Sequence, residues 1–244
     1  SDEELITIFG FAGSGKTWTL LYVLYHAWLS GKKVLMVTKE MPVQQLQRRF
    51  DALNSSLPYQ AFKMGQLGEQ LEQSWRKDME QLQDKPSFVI TSDDEGGLGV
   101  SGVRTKIEQH SPDIIGIDGV YLLEDDRRGE GWERIRNITQ DLKRLARDVL
   151  RPVVVTTQAS EEPGKRRGLR LSSTAFYKSF AQDSDVVIGV EPIPANWKLR
   201  VLKVREGVGP VIVINRDFEK MKFDQCRVEH EDANDSEDDD TIMY

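Results

Sequence analysis

The chain has 244 residues, 39% hydrophobic and 30% charged, a globular composition that excludes a largely disordered polymer. No apolar run approaches the ~18 residues that a membrane-spanning helix needs, and the acidic start Ser1-Asp2-Glu3-Glu4 does not fit a secretory leader. The net charge of −7 is unevenly spread: residues 228–244 hold eight acidic and no Lys or Arg side chains, so residues 1–227 carry +1 and the acidic total does not argue against a nucleic-acid partner.

In chain order, residues 5–9 read as a strand and 16–29 as a helix closed by Gly31. Residues 34–38 form a second strand, and 43–54 a helix with Leu46, Phe50 and Leu53 on one face. The Gln- and Glu-rich stretch 67–84 reads as a solvated helix. Strands follow at 88–91, 114–117 and 153–157, separated by helices at 100–109 and 132–150. In the longer helix Ile135, Ile138, Leu142, Leu145 and Val149 recur at three- and four-residue spacing. Residues 186–190, 197–204 and 211–215 read as further strands, the last pair turned by Gly207 to Pro210. The early strands are continuous β-branched runs, the pattern of parallel strands buried on both faces. Alternation of strand and helix then predicts an α/β fold: a mostly parallel central sheet flanked by helices, with an antiparallel hairpin at the C-terminal edge. The expected division is a folded domain over residues 1–223 and an acidic, disordered tail over 224–244. The single cysteine, Cys226, forms no internal disulfide and suits a reducing, cytoplasmic setting.

Gly10-Phe11-Ala12-Gly13-Ser14-Gly15-Lys16-Thr17 matches G-x-x-x-x-G-K-[ST] completely, between an apolar strand and a helix. Backbone N–H groups around Gly10, Gly13, Ser14 and Gly15 would curl around phosphates. Lys16 would reach the β- and γ-phosphates, and the Thr17 hydroxyl would ligate Mg²⁺. Asp118 ends an apolar strand, as the carboxylate of a Walker B strand does, and is the candidate support for the metal. Glu40 follows the second strand on the same sheet edge. It is a candidate base for the attacking water, although taken alone it reads more readily as a surface Glu capping the next helix. Gln158 ends the strand at 153–157; it is either a γ-phosphate sensor or an ordinary polar strand end.

These residues together resemble the motor domain of the DnaB-type replicative helicases, a RecA-like P-loop NTPase fold. The resemblance lies in Glu40-Met41 after the second strand and in Ile117-Asp118-Gly119-Val120-Tyr121-Leu122-Leu123 around Walker B. It continues in the basic loop and Leu171-Ser172 after Gln158, in Gln182-Asp183-Ser184-Asp185-Val186-Val187, and in Lys203-Val204-Arg205-Glu206-Gly207. It runs from Leu5 to Phe223. It implies ATP and Mg²⁺ as cofactors, Glu40 as catalytic base and Gln158 as a coupling residue. It also implies Arg205, with Lys203, as a finger inserted into a neighbouring subunit's ATP site. The implied partners are single-stranded DNA, copies of the chain in a hexamer, and primase or a helicase loader. Departures are the Phe-Ala-Gly-Ser phosphate loop, where the family usually carries proline, and residues 174–179, where it usually carries Arg-Glu-Ser-Gly. The chain starts a few residues before its first strand, so it is expected to be an excised motor domain or a short homologue.

Two loops are candidates for nucleic acid. Residues 124–131 carry Arg127 and Arg128; residues 159–173 carry Lys165, Arg166, Arg167 and Arg170. Neither loop itself contains an aromatic residue, so tracking of the phosphate backbone is expected. Two other readings share this core: a RecA-like recombination ATPase, and a regulatory RecA-fold ATPase that does not unwind DNA.

Overall fold

The computed structural model describes residues 3–92, 97–159, 169, 175–205 and 209–229. Nine strands form one sheet: β1 (Leu5–Gly10), β2 (Val34–Thr38), β3 (Phe88–Thr91), β4 (Ile114–Asp118), β5 (Val153–Gln158), β6 (Val186–Ile193), β7 (Asn196–Lys203), β8 (Val211–Asp217) and β9 (Lys222–Glu229). Their order is β3-β2-β4-β5-β1-β6-β7-β8-β9. Pairings from β3 to β6 are parallel; those from β6 to β9 are antiparallel.

The parallel strands are apolar on both faces because both faces are covered. Leu35, Val37, Ile115, Ile117, Val153 and Val155 point into one core with α5 (Val100–His110) and α6 (Gly131–Val149), which Phe180 of α7 (Ala175–Asp183) completes. The alternate residues Val34, Met36 and Val154 point into a second core with α1 (Lys16–Leu29) and α2 (Val43–Ser55). Gly116 lies under α1: a Cβ there would come within 2.4 Å of the Leu24 side chain. The helix therefore sits close on β4. No helix among the described residues is long and apolar enough to cross a membrane.

Three features differ from the sequence reading. The solvated stretch 67–84 holds a helix as read, α4 (Glu69–Glu80), but a further helix, α3 (Tyr59–Met64), precedes it and, at six residues, is too short to show a period. The expected edge hairpin is an antiparallel wing of four strands. The folded body also does not end at residue 223: β9 pairs with β8 from Lys222 to Glu229. Its inward Phe223 packs on Trp18, Tyr22 and Trp197, while Asp224, Gln225, Cys226 and Arg227 are exposed, so an edge strand carries the polar composition of a tail. Residues 230–244 lie outside the described residues.

Candidate functional site

The phosphate-loop motif forms the turn from β1 into α1. Gly13 and Gly15 take left-handed backbones with φ +73° and +102°, conformations open to glycine at little cost. A Cβ at Gly10 would fall 2.5 Å from Ser14 Oγ and 2.6 Å from the Val190 carbonyl. A Cβ at Gly15 would fall 2.6 Å from the Trp197 ring. The loop is therefore packed too closely on Ser14, Val190 and Trp197 to admit side chains at Gly10 and Gly15. Ser14 Oγ is buried in it with no hydrogen-bond partner among the described residues. Lys16 Nζ donates to the Phe11 carbonyl at 2.8 Å. An ammonium has three donors, so two remain for a ligand. Burial pushes the Lys16 ammonium down, against the opposing pull of Glu40 and Asp118.

Thr17, in the first turn of α1, donates to both Asp118 oxygens at 3.1 Å. Asp118 is 0% exposed at the C-terminal end of β4. Burial raises its carboxyl to about 6; a hydrogen bond from Thr156 opposes this and the charge of Glu40 adds to it. Thr156 Oγ1 is 2.7 Å from Asp118 Oδ1 and accepts the Gly119 N–H at 2.8 Å. Glu40 is exposed beside this cluster. Its segment is held by the Lys39 N–H on the Asp118 carbonyl and by Thr38 Oγ1, which binds both the N–H and the carbonyl of Met41. Gln158 lies in register with Gly10, and the Ala159 N–H donates to the Gly10 carbonyl. One sheet edge thus gathers Gly10, Gly13, Ser14, Gly15, Lys16, Thr17, Glu40, Asp118 and Gln158. Chemically, this is an anion cradle at a helix N-terminus beside a buried carboxylate, and its donors fit a nucleotide phosphate chain with a divalent cation.

Lys203 and Arg205 are not there. Asp185 exchanges backbone and side-chain hydrogen bonds with Leu5, at the start of β1, whereas the phosphate loop follows its end, ~17 Å along the strand. Lys203 Nζ donates to the carbonyls of Ala181, Gln182 and Ser184, capping the end of α7. Arg205 donates twice to Asp185 Oδ1, at 2.9 and 2.7 Å, and is still 54% exposed. The other Asp185 oxygen takes Lys143 and the Leu5 N–H.

In the first basic loop the carboxylates turn inward. Asp125, 8% exposed, accepts from the backbone of Arg127 and Gly129 and from Asn137. Asp126 binds the N–H and hydroxyl of Ser101 at the start of α5. Arg127 pairs with Asp141 and Asn137, whereas Arg128 is exposed on a left-handed backbone. Just past the loop, Trp132 is 60% exposed, with the Arg136 guanidinium over its ring at 5.2 Å. The sequence reading missed Trp132 and Thr156. An aromatic immediately after the loop was the available signal for the first; a pair of threonines following the apolar run Val153-Val154-Val155 was the signal for the second. Lys165, Arg166, Arg167 and Arg170 lie outside the described residues.

Comparison with known proteins places this geometry. The family model for the DnaB-like helicase C-terminal domain matches residues 1–208. The replicative DNA helicase DnaB of Rickettsia prowazekii (strain Madrid E) is 28% identical over 164 residues, covering 64% of this chain and 33% of the relative. The replicative DNA helicase DnaC of Bacillus subtilis (strain 168) is 25% identical over 194 residues, covering 76% and 42%. The chain thus spans about a third of the length of the first curated relatives it matches. A solved ATPase domain superposes with a TM-score of 0.79 at 19% identity, over 91% of this chain and 85% of that one. A DnaB-like replicative helicase, solved in a study of its interactions with primase, gives 0.78 at 19% identity, over 91% and 57%. These neighbours share the fold. With a family model covering most of its length, the chain belongs to the DnaB-like helicase C-terminal domain family.

Proposed function

We propose that the chain is an ATP-hydrolysing motor that moves along single-stranded DNA during replication, working in the cytoplasm as a ring of like subunits. The observation that carries this reading is the meeting of Lys16, Thr17, Glu40 and Asp118 at one sheet edge, in a member of this family. Lys16 and the loop N–H groups bind the phosphates of ATP. Thr17 and Asp118 hold Mg²⁺, which when bound neutralises charge on the transferred phosphoryl group. Glu40, exposed beside Asp118, orients the attacking water and takes its proton. Gln158, next to Gly10, links the phosphate site to the loop that follows β5.

Arg205 faces away from its own phosphate loop, so its action on a phosphate requires a neighbouring subunit's site. Lys203, fully bonded to three carbonyls, anchors the strand end that presents it. Arg128, and in the second loop Lys165, Arg166, Arg167 and Arg170, contact the DNA backbone, with Arg127 bracing the first loop. Primase or a loader would act on the assembled protein.

The test is steady-state ATP hydrolysis across protein concentrations, with and without single-stranded DNA, for the wild type, Lys16→Ala and Arg205→Ala. Stimulation by DNA, a rate per subunit that rises with concentration, two dead variants and partial recovery on mixing them are expected. Hydrolysis that ignores DNA and concentration and survives loss of Arg205 would instead indicate a self-contained ATPase.

A further inference from the structure

β5 enters the core as Val153-Val154-Val155 and then places two threonines, Thr156 and Thr157, in the same buried environment. At position 156 the side chain is 0% exposed. A valine would fill the same shape there without a polar group to satisfy, so the hydroxyl calls for a reason. Its bonds supply one. The Gly119 N–H points at Thr156 Oγ1 from 2.8 Å, so it occupies a lone pair. Among the described residues, the single hydroxyl hydrogen then has one recorded acceptor, Asp118 Oδ1 at 2.7 Å. Both ends of the hydroxyl are committed, and its direction is set by the backbone of the neighbouring strand.

Thr17, the other hydroxyl on Asp118, is longer at 3.1 Å and shared between both oxygens. It also faces the cradle, whereas Thr156 approaches from the sheet. The Gly119 N–H that binds Thr156 belongs to a left-handed residue, φ +83°, at which a Cβ would lie 3.2 Å from Glu40 Cβ. One hydroxyl therefore fixes the rotation of the Asp118 carboxylate and pins the turn against which Glu40 rests, two residues before Gln158.

We propose that Thr156 is a positioning residue for the cation site: its hydroxyl holds Asp118 in the orientation that receives a nucleotide-bound divalent cation. The inference rests on the phosphate-site reading above. Partners that orient a metal-binding side chain are typically worth about 10–100-fold in metal affinity or activity.

The test compares Thr156→Val, which keeps the shape and removes the hydroxyl, with Thr156→Ser, which keeps the hydroxyl. The readouts are the Mg²⁺ dependence of binding of a fluorescent, non-hydrolysable ATP analogue, the hydrolysis rate at saturating Mg²⁺, and the thermal midpoint. Thr156→Val is expected to raise the Mg²⁺ half-saturation about tenfold or more and leave Mg²⁺-free nucleotide affinity unchanged, with Thr156→Ser close to wild type. Should Thr156→Val fail to fold, Thr156→Ala removes the hydroxyl without placing a new methyl group against Asp118. Wild-type Mg²⁺ dependence in the hydroxyl-free variants overturns the inference, as does a Thr156→Ser defect equal to that of Thr156→Val, which marks a packing role. A wild-type protein that binds no nucleotide at all overturns the phosphate-site reading itself, and the inference with it.

Discussion

The two ends of β1 each hold a lysine bonded to backbone carbonyls, and the two lysines do different work. At the C-terminal end Lys16 has one carbonyl, that of Phe11, and two donors in reserve. At the N-terminal end Lys203 has three carbonyls and none in reserve. An ammonium with unused donors beside an empty-handed Ser14 can exchange its placeholder for a phosphate. One with every donor bonded closes a helix and holds two elements together. The same residue type, equally basic in sequence, is a ligand group in one region and a fastener in the other.

The largest expected effect breaks the comparison at its functional end. Lys16→Ala should cut ATP hydrolysis about 10²–10³-fold, the loss typical of removing one preorganised donor to developing charge, with an unchanged circular dichroism spectrum. A variant within a few-fold of wild type would remove Lys16 from the chemistry. Next comes a contrast of cores. Leu142→Ala, in the doubly covered parallel half, should cost about 2–5 kcal/mol in denaturant unfolding. Ile212→Ala, half-buried in β8 of the wing, should cost about 1–2 kcal/mol; equal costs would show that the wing carries as much of the fold as the parallel half.

Lys203→Met keeps the stem and removes the ammonium, so it should lower stability by about 1–3 kcal/mol by leaving three carbonyls short of a donor, with nucleotide affinity intact. Loss of nucleotide affinity without loss of stability would reverse the assignment of the two lysines. The smallest effect is in acid. Burial by itself would raise the Asp185 carboxyl, but Lys143, the Leu5 N–H and Arg205 together hold it below its ordinary value of 3.8. A depressed carboxylate contributes stability that is present above the unfolded value and lost as pH falls through the folded one. Asp185→Asn should therefore be less stable than wild type at pH 7. The gap should narrow as pH drops below about 3.8; a gap constant across that range would mean that Asp185 acts through packing rather than charge.

The legible parts were those where one physical demand shapes several neighbouring residues. Burial on both faces wrote β1, β2, β4 and β5 as runs rich in apolar and β-branched residues, and phosphate binding wrote the loop from Gly10 to Thr17. With those strands placed, Asp118 and Glu40 fell on the same edge. The parts that could not be read depend on distant partners. Nothing in Lys203 itself announces the carbonyls of Ala181, Gln182 and Ser184. Arg127 reads as a free cation until Asp141, a helical residue 14 positions on, is seen to take it. β9 went unread because one face of an edge strand is in water, and a single inward Phe223 among charged neighbours does not make a pattern.

The chain has five tryptophans. Trp18, Trp28 and Trp197 are buried and Trp75 is half-buried, so Trp132 is the one freely exposed indole. It stands at the start of α6, beside the loop that carries Arg128. The long-wavelength emission of the unlabelled protein, and its collisional quenching by acrylamide, therefore report chiefly on this corner. Whatever comes to rest against the first basic loop, a nucleic acid strand or a neighbouring subunit, writes itself into the natural fluorescence of the chain, and no dye need be attached to read it.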